Sequence, residues 1–262
     1  MSVMKWLARR RLRRLLARHP IPYGLWSAAT RDMDLLCGLS AVERTRLRVL
    51  AARFLRHKAI NGAQGLTVTP QMAVIIAAQA CLPILNLGLD YYDNWVEIIV
   101  YPAAFQVAHE AVDESGVVSQ AAGLRSGESW LRGPVVLSWW DIQQGLRQSQ
   151  PGNVVVHEFA HKLDMLDGRA DGLPPLHADM TVRRWAEVLS AAFARLQRAA
   201  GHGCPRLDPY GASDPAEYFA VASEYFFTAP EILQDSSPAV YGQMALFYRQ
   251  DPLRRRLPAQ KR

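Results

Sequence analysis

NVVVHEFAHKLDMLDG, residues 153–168, places two histidines four apart, His157 and His161, with Glu158 directly after the first. This stretch decides whether the chain is built around a metal helix or an ordinary core helix. Residues i and i+4 of a helix lie one turn apart on the same face, so both imidazoles can point at one ion. Glu158 lies about 100° round the helix from His157. From there it can reach the water that the ion activates rather than the ion itself, which is where a general base is needed. The surroundings favour a helix. Asn153 is a suitable N-cap and Gly168 a suitable stop. Val155, Val156, Phe159, Ala160 and Leu163 supply apolar surface. Three successive valines cost only a few tenths of a kcal/mol each in helix propensity, and burial outweighs that.

A catalytic Zn²⁺ takes three protein ligands and a water. The next positions, Lys162, Leu163 and Asp164, exclude the HExxHxxGxxH pattern, so the third ligand must come from elsewhere. Residues 208–227, DPYGASDPAEYFAVASEYFF, offer two candidates. Ser213 or Asp214 caps a helix bearing Glu217 and Glu224, seven apart and hence on one face. Carboxylates on so apolar a helix need partners, because an unpaired buried charge is costly. Asp164 can orient a ligand histidine through its second ring nitrogen. Tyr210, seven before Glu217, can donate to the oxyanion of a tetrahedral intermediate.

Composition narrows the class. Half of the 262 residues are hydrophobic and 21% are charged, as in a globular protein with a sizeable core. Residues 1–18 hold seven basic residues and no acid, and residues 252–262 hold five and no acid. Removing both ends from a net charge of +6 leaves −6 for the rest, so no basic surface runs through the body and direct nucleic-acid binding is disfavoured. Cys37, Cys81 and Cys204 are dispersed, odd in number and without a CxxC. They read as small buried hydrophobes in a reducing cytoplasm. The basic start has no apolar region after it, so it is no secretory signal. The longest apolar run, residues 73–85 (AVIIAAQACLPIL), is interrupted by Gln79 and Pro83 and falls short of the ~20 residues that span a bilayer.

Along the chain, residues 5–18 (KWLARRRLRRLLAR) read as a short basic amphipathic helix able to touch anionic lipid or an acidic partner. Ser40 and Glu43 form a capping box for a helix to about Ile60. NGAQG (61–65) reads as a turn, and Thr69-Pro70 opens the apolar helix. Residues 95–101 and 135–139 read as strands, separated by a Gly- and Ser-rich loop or hairpin at 110–132. Helices follow at about 141–148, 153–166, 180–200, 214–228 and 237–249. The expected organisation is one α+β metallopeptidase domain at 20–252, mostly helical with a small mixed sheet, between a basic extension (1–19) and a basic tail (253–262).

The two motif segments, with AQACLPILNLGLDYYDNW (78–95), IIVYP (98–102) and RGPVVLSW (132–139), resemble the Mlc titration factor A family of zinc metallopeptidases. The resemblance covers about residues 20–252. It implies a zincin-like fold similar to the catalytic domain of anthrax lethal factor. It implies one Zn²⁺ per chain, held by His157, His161 and Glu217, with Glu158 catalytic and Tyr210 near the substrate. Glu224 then stands behind the ligands. It also implies an aminopeptidase-like activity on small peptides in the bacterial cytoplasm. A further implication is binding of an Mlc-type transcription repressor of glucose-uptake genes. The dense arginines at 5–18 depart from the family pattern.

On these grounds the expected function is metal-assisted peptide hydrolysis, with Val135–Trp139 as the edge strand that pairs with an extended substrate. One rival is a repressor-sequestering binding protein with little peptidase activity, though pure binding has no need of Glu158. Another is a peripheral membrane module acting through residues 5–18. Loop 168–178 reads as a linker or a lid.

Overall fold

A computed structural model of the chain describes residues 20–103, 111–112, 118–119, 133–147, 151–203 and 205–256. The expected basic helix at 5–18, most of the 110–132 loop, and Cys204 lie outside the described residues.

The described residues begin with helix α1 (Tyr23–Thr30) and continue into α2 (Ala41–His57). Ser40 begins α2 as expected, with its side chain accepting from Glu43 N–H while the Glu43 carboxylate accepts from Ser40 N–H. Strand β1 (Ala59–Gly62) and helix α3 (Pro70–Cys81) come next. Helix α3 is buried almost all round, which its predominantly apolar sequence requires. Strands β2 (Glu97–Tyr101), β3 (Ala111–Val112), β4 (Val118–Ser119) and β5 (Val135–Ser138) precede α4 (Trp139–Arg147). The remainder is helical: α5 (Val154–Asp164), α6 (Val182–Gly201), α7 (Pro215–Thr228), α8 (Pro230–Ser236), α9 (Pro238–Tyr248) and α10 (Pro252–Arg256).

Among the described residues the strands form not one mixed sheet but two separate ones. Strands β1, β2 and β5 make an all-parallel sheet in the order β1–β2–β5, and β3 pairs with β4 antiparallel. Strand β1 corrects the reading of residues 58–62 as helix end and turn. Its four residues have no hydrophobic alternation, and it is extended because Ala59 N–H and Ala63 N–H donate to Val96 and Val100 carbonyls of the β2 segment. The buried Lys58 reinforces this by donating to the Tyr92 and Trp95 carbonyls. Among the described residues β5 is an edge strand.

Helix α5 lies against β5, α3 and α7. An aromatic cluster of Phe54, Tyr92, Trp95 and Phe159 fills one side, with ring centroids 5.1–6.3 Å apart. A second cluster of Phe219, Phe226, Phe227, Phe247 and Tyr248 buries α7 from the other side. Fully buried rings of this size cost about 3–5 kcal/mol each when truncated, so α5 and α7 are held on a stiff base.

Two further expectations change. Residues 253–256 of the expected tail are helical and docked: Arg256 donates to the Thr228 carbonyl (2.8 Å), and Arg255 to Gln250, which itself bonds the Leu82 carbonyl (2.8 Å). Cys81 is buried as expected, but Cys37 is exposed. No helix among the described residues is long and apolar enough to cross a membrane.

Candidate metal centre

Helix α5 starts where the sequence indicates. Asn153 caps it, its Oδ1 accepting from Val156 N–H at 2.9 Å. Its amide also donates to the buried Gln79 of α3 at 2.6 Å. Helix α7 starts at Pro215, capped by Asp214, whose Oδ1 accepts from Glu217 N–H at 3.0 Å. The two helices cross so that His157, His161 and Glu217 present their donor atoms to one point, all within 4.8 Å of one another.

The edges of this triangle are short. Nε2 of His157 and Nε2 of His161 are 3.2 Å apart. The Glu217 carboxylate lies 3.1 Å from His157 Nε2 and 3.5 Å from His161 Nε2. Tetrahedral coordination at metal–ligand lengths of about 2.0–2.2 Å requires donor separations of about 3.3–3.6 Å. Glu217 Oε2 is buried and accepts no well-aligned hydrogen bond among the described residues, although His157 Nε2 lies 3.1 Å from it, which leaves the oxygen able to meet an ion. Two imidazoles and one carboxylate are also a donor set that suits a catalytic divalent site.

Glu224, one further turn pair along α7, does not join the triangle. Its Oε1 is 2.7 Å from His157 Nδ1, and its Oε2 accepts from Asn153 N–H at 2.5 Å. It therefore fixes the Nδ1 side of the His157 ring and leaves Nε2 facing the triangle. Asp164 does not do the same for His161. Its Oδ2 accepts from Gly172 N–H at 2.9 Å, while Asp164 Oδ1 and His161 Nδ1 are each buried without a hydrogen bond among the described residues. Burial pushes the Asp164 pKa up to about 7. Tyr210 sits in the 3-10 turn Pro209–Ala212, with its ring centroid 6.0 Å from that of His157 and half its surface open to solvent. Partial burial and the charges of Glu217 and Glu158 push its phenol up to about 12, so it remains an O–H donor. Glu158 follows His157 on the inner side of α5. Burial raises its pKa, and the neighbouring imidazoles oppose that rise.

The electrostatics favour a cation. Burial alone would depress the His157 imidazolium, but hydrogen bonds to Glu217 and Glu224 and the charges of Glu224 and Glu158 raise its pKa to about 10. Burial would raise the Glu217 pKa, and the imidazoles instead bring it down to about 2. In the metal-free protein these pairs contribute stability over a defined window. The His157 contribution is full below its ordinary 6.5 and is lost as pH rises through about 10. The Glu217 contribution is full above its ordinary 4.5 and is lost as pH falls through about 2. A divalent ion must displace the His157 proton. Metal uptake at pH 7 is therefore expected to release about one proton, and affinity to rise about tenfold per pH unit. Calorimetry in buffers of different ionisation enthalpy reads the proton count directly; a count of zero would exclude displacement at His157.

Gln79 and Gly172 were not legible as parts of this site. Gln79 is visible as a polar interruption of the apolar run 73–85, but only packing connects it to Asn153. Nothing in the sequence around Gly172 marks it.

Comparison with known proteins is consistent with this geometry. Residues 5–249 match the family model described as glucose-regulated metallo-peptidase M90. Mlc titration factor A of Klebsiella pneumoniae is 45% identical over 230 residues, covering 86% of this chain and 85% of that protein. Mlc titration factor A of Salmonella arizonae is 43% identical over 237 residues, covering 88% of this chain and 92% of that protein.

Proposed function

The chain belongs to the glucose-regulated metallo-peptidase M90 family, and from that premise we propose that it is a zinc-dependent peptidase with a single zincin-like domain. His157, His161 and Glu217 are its metal ligands, Glu158 its general base and Tyr210 an oxyanion donor. The observation that carries the proposal is the convergence of one donor atom each from His157, His161 and Glu217, all within 4.8 Å of one another, with Glu158 on the same helix as the histidines.

Bound zinc supplies Lewis acidity, lowering the pKa of a water to about 7 and polarising the scissile carbonyl. The protein's own groups do the rest. Glu158 accepts the proton of the attacking water on its carboxylate and passes it to the leaving amine. The Tyr210 hydroxyl, kept protonated, donates to the developing oxyanion. Glu224 keeps the His157 ring in one tautomer and one orientation. The defining experiment is hydrolysis of a peptide library by zinc-loaded protein, its loss on chelation and its return on adding zinc. Zinc-loaded protein that cleaves nothing would count against the enzyme.

Strand β5 is proposed as the rail on which an extended substrate pairs, because it is an edge strand among the described residues and lies against α5. Proline at Val136 or Leu137 removes one backbone donor, and one of the two positions faces outward. That variant is expected to raise KM and lower kcat/KM by about tenfold, roughly the worth of one hydrogen bond. Unchanged turnover in both variants would remove β5 from the substrate path.

A second activity is supported by the name of the relatives, Mlc titration factor A. Binding of an Mlc-type transcription repressor in the cytoplasm is proposed alongside catalysis. Co-purification of such a repressor with Glu158→Gln as well as with wild type is the expected result; loss of binding in both would exclude it.

A further inference from the structure

Helices α5 and α7 are tied together at both ends of the candidate metal centre. At the start of α5 the tie is Glu224, bonded to His157 and Asn153. At the end of α5 the tie runs through a residue of the connecting loop. We propose that Asp164 and Gly172 form a positioning latch that sets the distance between the α5 imidazoles and Glu217. This rests on the assignment of His157, His161 and Glu217 as metal ligands.

Asp164 is the last residue of α5, three after His161, and is fully buried. Its Oδ2 accepts from Gly172 N–H at 2.9 Å. The Gly172 carbonyl accepts from Trp185 Nε1 of α6, also at 2.9 Å. Trp185 is buried and packs its ring against Phe219 of α7, with centroids 5.9 Å apart. The third side of Gly172 presses on the start of α7. A Cβ at Gly172 would stand 2.5 Å from the Pro215 carbonyl oxygen and 3.0 Å from its carbon. Gly172 also has φ +76°, which disfavours any side chain. The Gly172 peptide is thus a spacer, wedged between the end of the histidine helix and the first turn of the glutamate helix. Glu217 lies two residues beyond Pro215.

Magnitude decides why such a spacer matters. Metal–ligand distances tolerate changes of only about 0.2 Å. Relieving a 2.5 Å approach to a backbone oxygen requires a shift of at least several tenths of an ångström. A displaced backbone cannot rotate away as a side chain can, so the displacement reaches Glu217. Loss of a group that orients metal ligands typically costs about 10–100-fold in affinity.

The test compares Gly172→Ala, Asp164→Ala and Asp164→Asn with wild type, and with Asn86→Ala as a control. The Asn86 side chain accepts from Arg46 and donates to the Arg249 carbonyl, neither of them a residue of the site. Three quantities are read: zinc affinity by competition with a chelating dye, the visible spectrum of the cobalt(II)-loaded protein, and the melting temperature without metal. Gly172→Ala and Asp164→Ala are expected to bind zinc about 10–100-fold more weakly and to alter the cobalt spectrum. Asp164→Asn keeps an oxygen to accept from Gly172 N–H and is expected to restore both. Asn86→Ala is expected to lower the melting temperature without changing either metal readout. If Gly172→Ala does not fold, the Asp164 pair decides. Melting temperatures that fall with zinc affinity and cobalt spectrum unchanged would overturn the latch, as would Asp164→Asn behaving like Asp164→Ala. Wild type that binds zinc and hydrolyses nothing counts against the peptidase and leaves the latch to be judged on affinity. Wild type that binds no zinc overturns both.

Discussion

Zinc-loaded Glu158→Gln is expected to keep its metal and to lose peptide hydrolysis by about 10²–10⁴-fold, the range that a positioned general base contributes. The amide is nearly the size of the carboxylate, so α5 and the three donor atoms stay in place. It cannot accept a proton. Burial already disfavours the charge on Glu158, so the variant also relieves a desolvation cost, and its melting temperature is expected to equal or exceed that of wild type. The measurement is turnover beside bound-zinc stoichiometry. Lost activity with retained zinc is the signature of a missing base. Retained activity would place the base elsewhere, and lost zinc would place Glu158 among the ligands.

Glu217→Ala is expected to abolish activity by a different route. It removes one corner of the triangle and leaves two imidazoles, so zinc affinity should fall by more than about 100-fold, beyond the range of an orienting residue. Glu224→Gln is the informative companion. Glu224 touches His157 Nδ1 and Asn153 rather than the donor triangle, so its replacement is expected to weaken zinc by about 10–100-fold. The order of the two effects discriminates, since a ligand Glu224 would reverse it. In the metal-free protein Glu217→Ala also removes a hydrogen-bond partner that holds the His157 pKa up, so that pKa should fall below about 10, as an NMR titration of the imidazole would read.

Several features were legible in the sequence because they depend on local chemistry. The Ser40–Glu43 capping box, Thr69-Pro70 at the start of α3, and Asn153 at the start of α5 follow from side chains within one turn of each other. The strands at Glu97–Tyr101 and Val135–Ser138 follow from β-branched runs. Strand β1 was hidden because its residues carry no strand signal and are extended only by the neighbouring β2 backbone. Helix α8 escaped notice because seven residues between two prolines are too few to show a period.

At the candidate site the same division holds. The spacing of His157 and His161 fixes their common face without reference to the rest of the chain, and the position of Glu158 follows from it. Glu217 and Glu224, seven apart on one helix, are equivalent by spacing alone. Only the crossing of α7 over α5 separates them, setting Glu217 at 3.1 Å from His157 Nε2 and Glu224 at 2.7 Å from Nδ1. Asp164 was expected to orient His161; the fold turns it instead to the Gly172 N–H. The sequence alone determined that His157, Glu158 and His161 share one helix with both imidazoles on one face, because periodicity along one helix is a local property. Which carboxylate meets both Nε2 atoms, which one meets His157 Nδ1, and which glycine lies against Pro215 depend on how separate elements pack, and only the tertiary structure decided them.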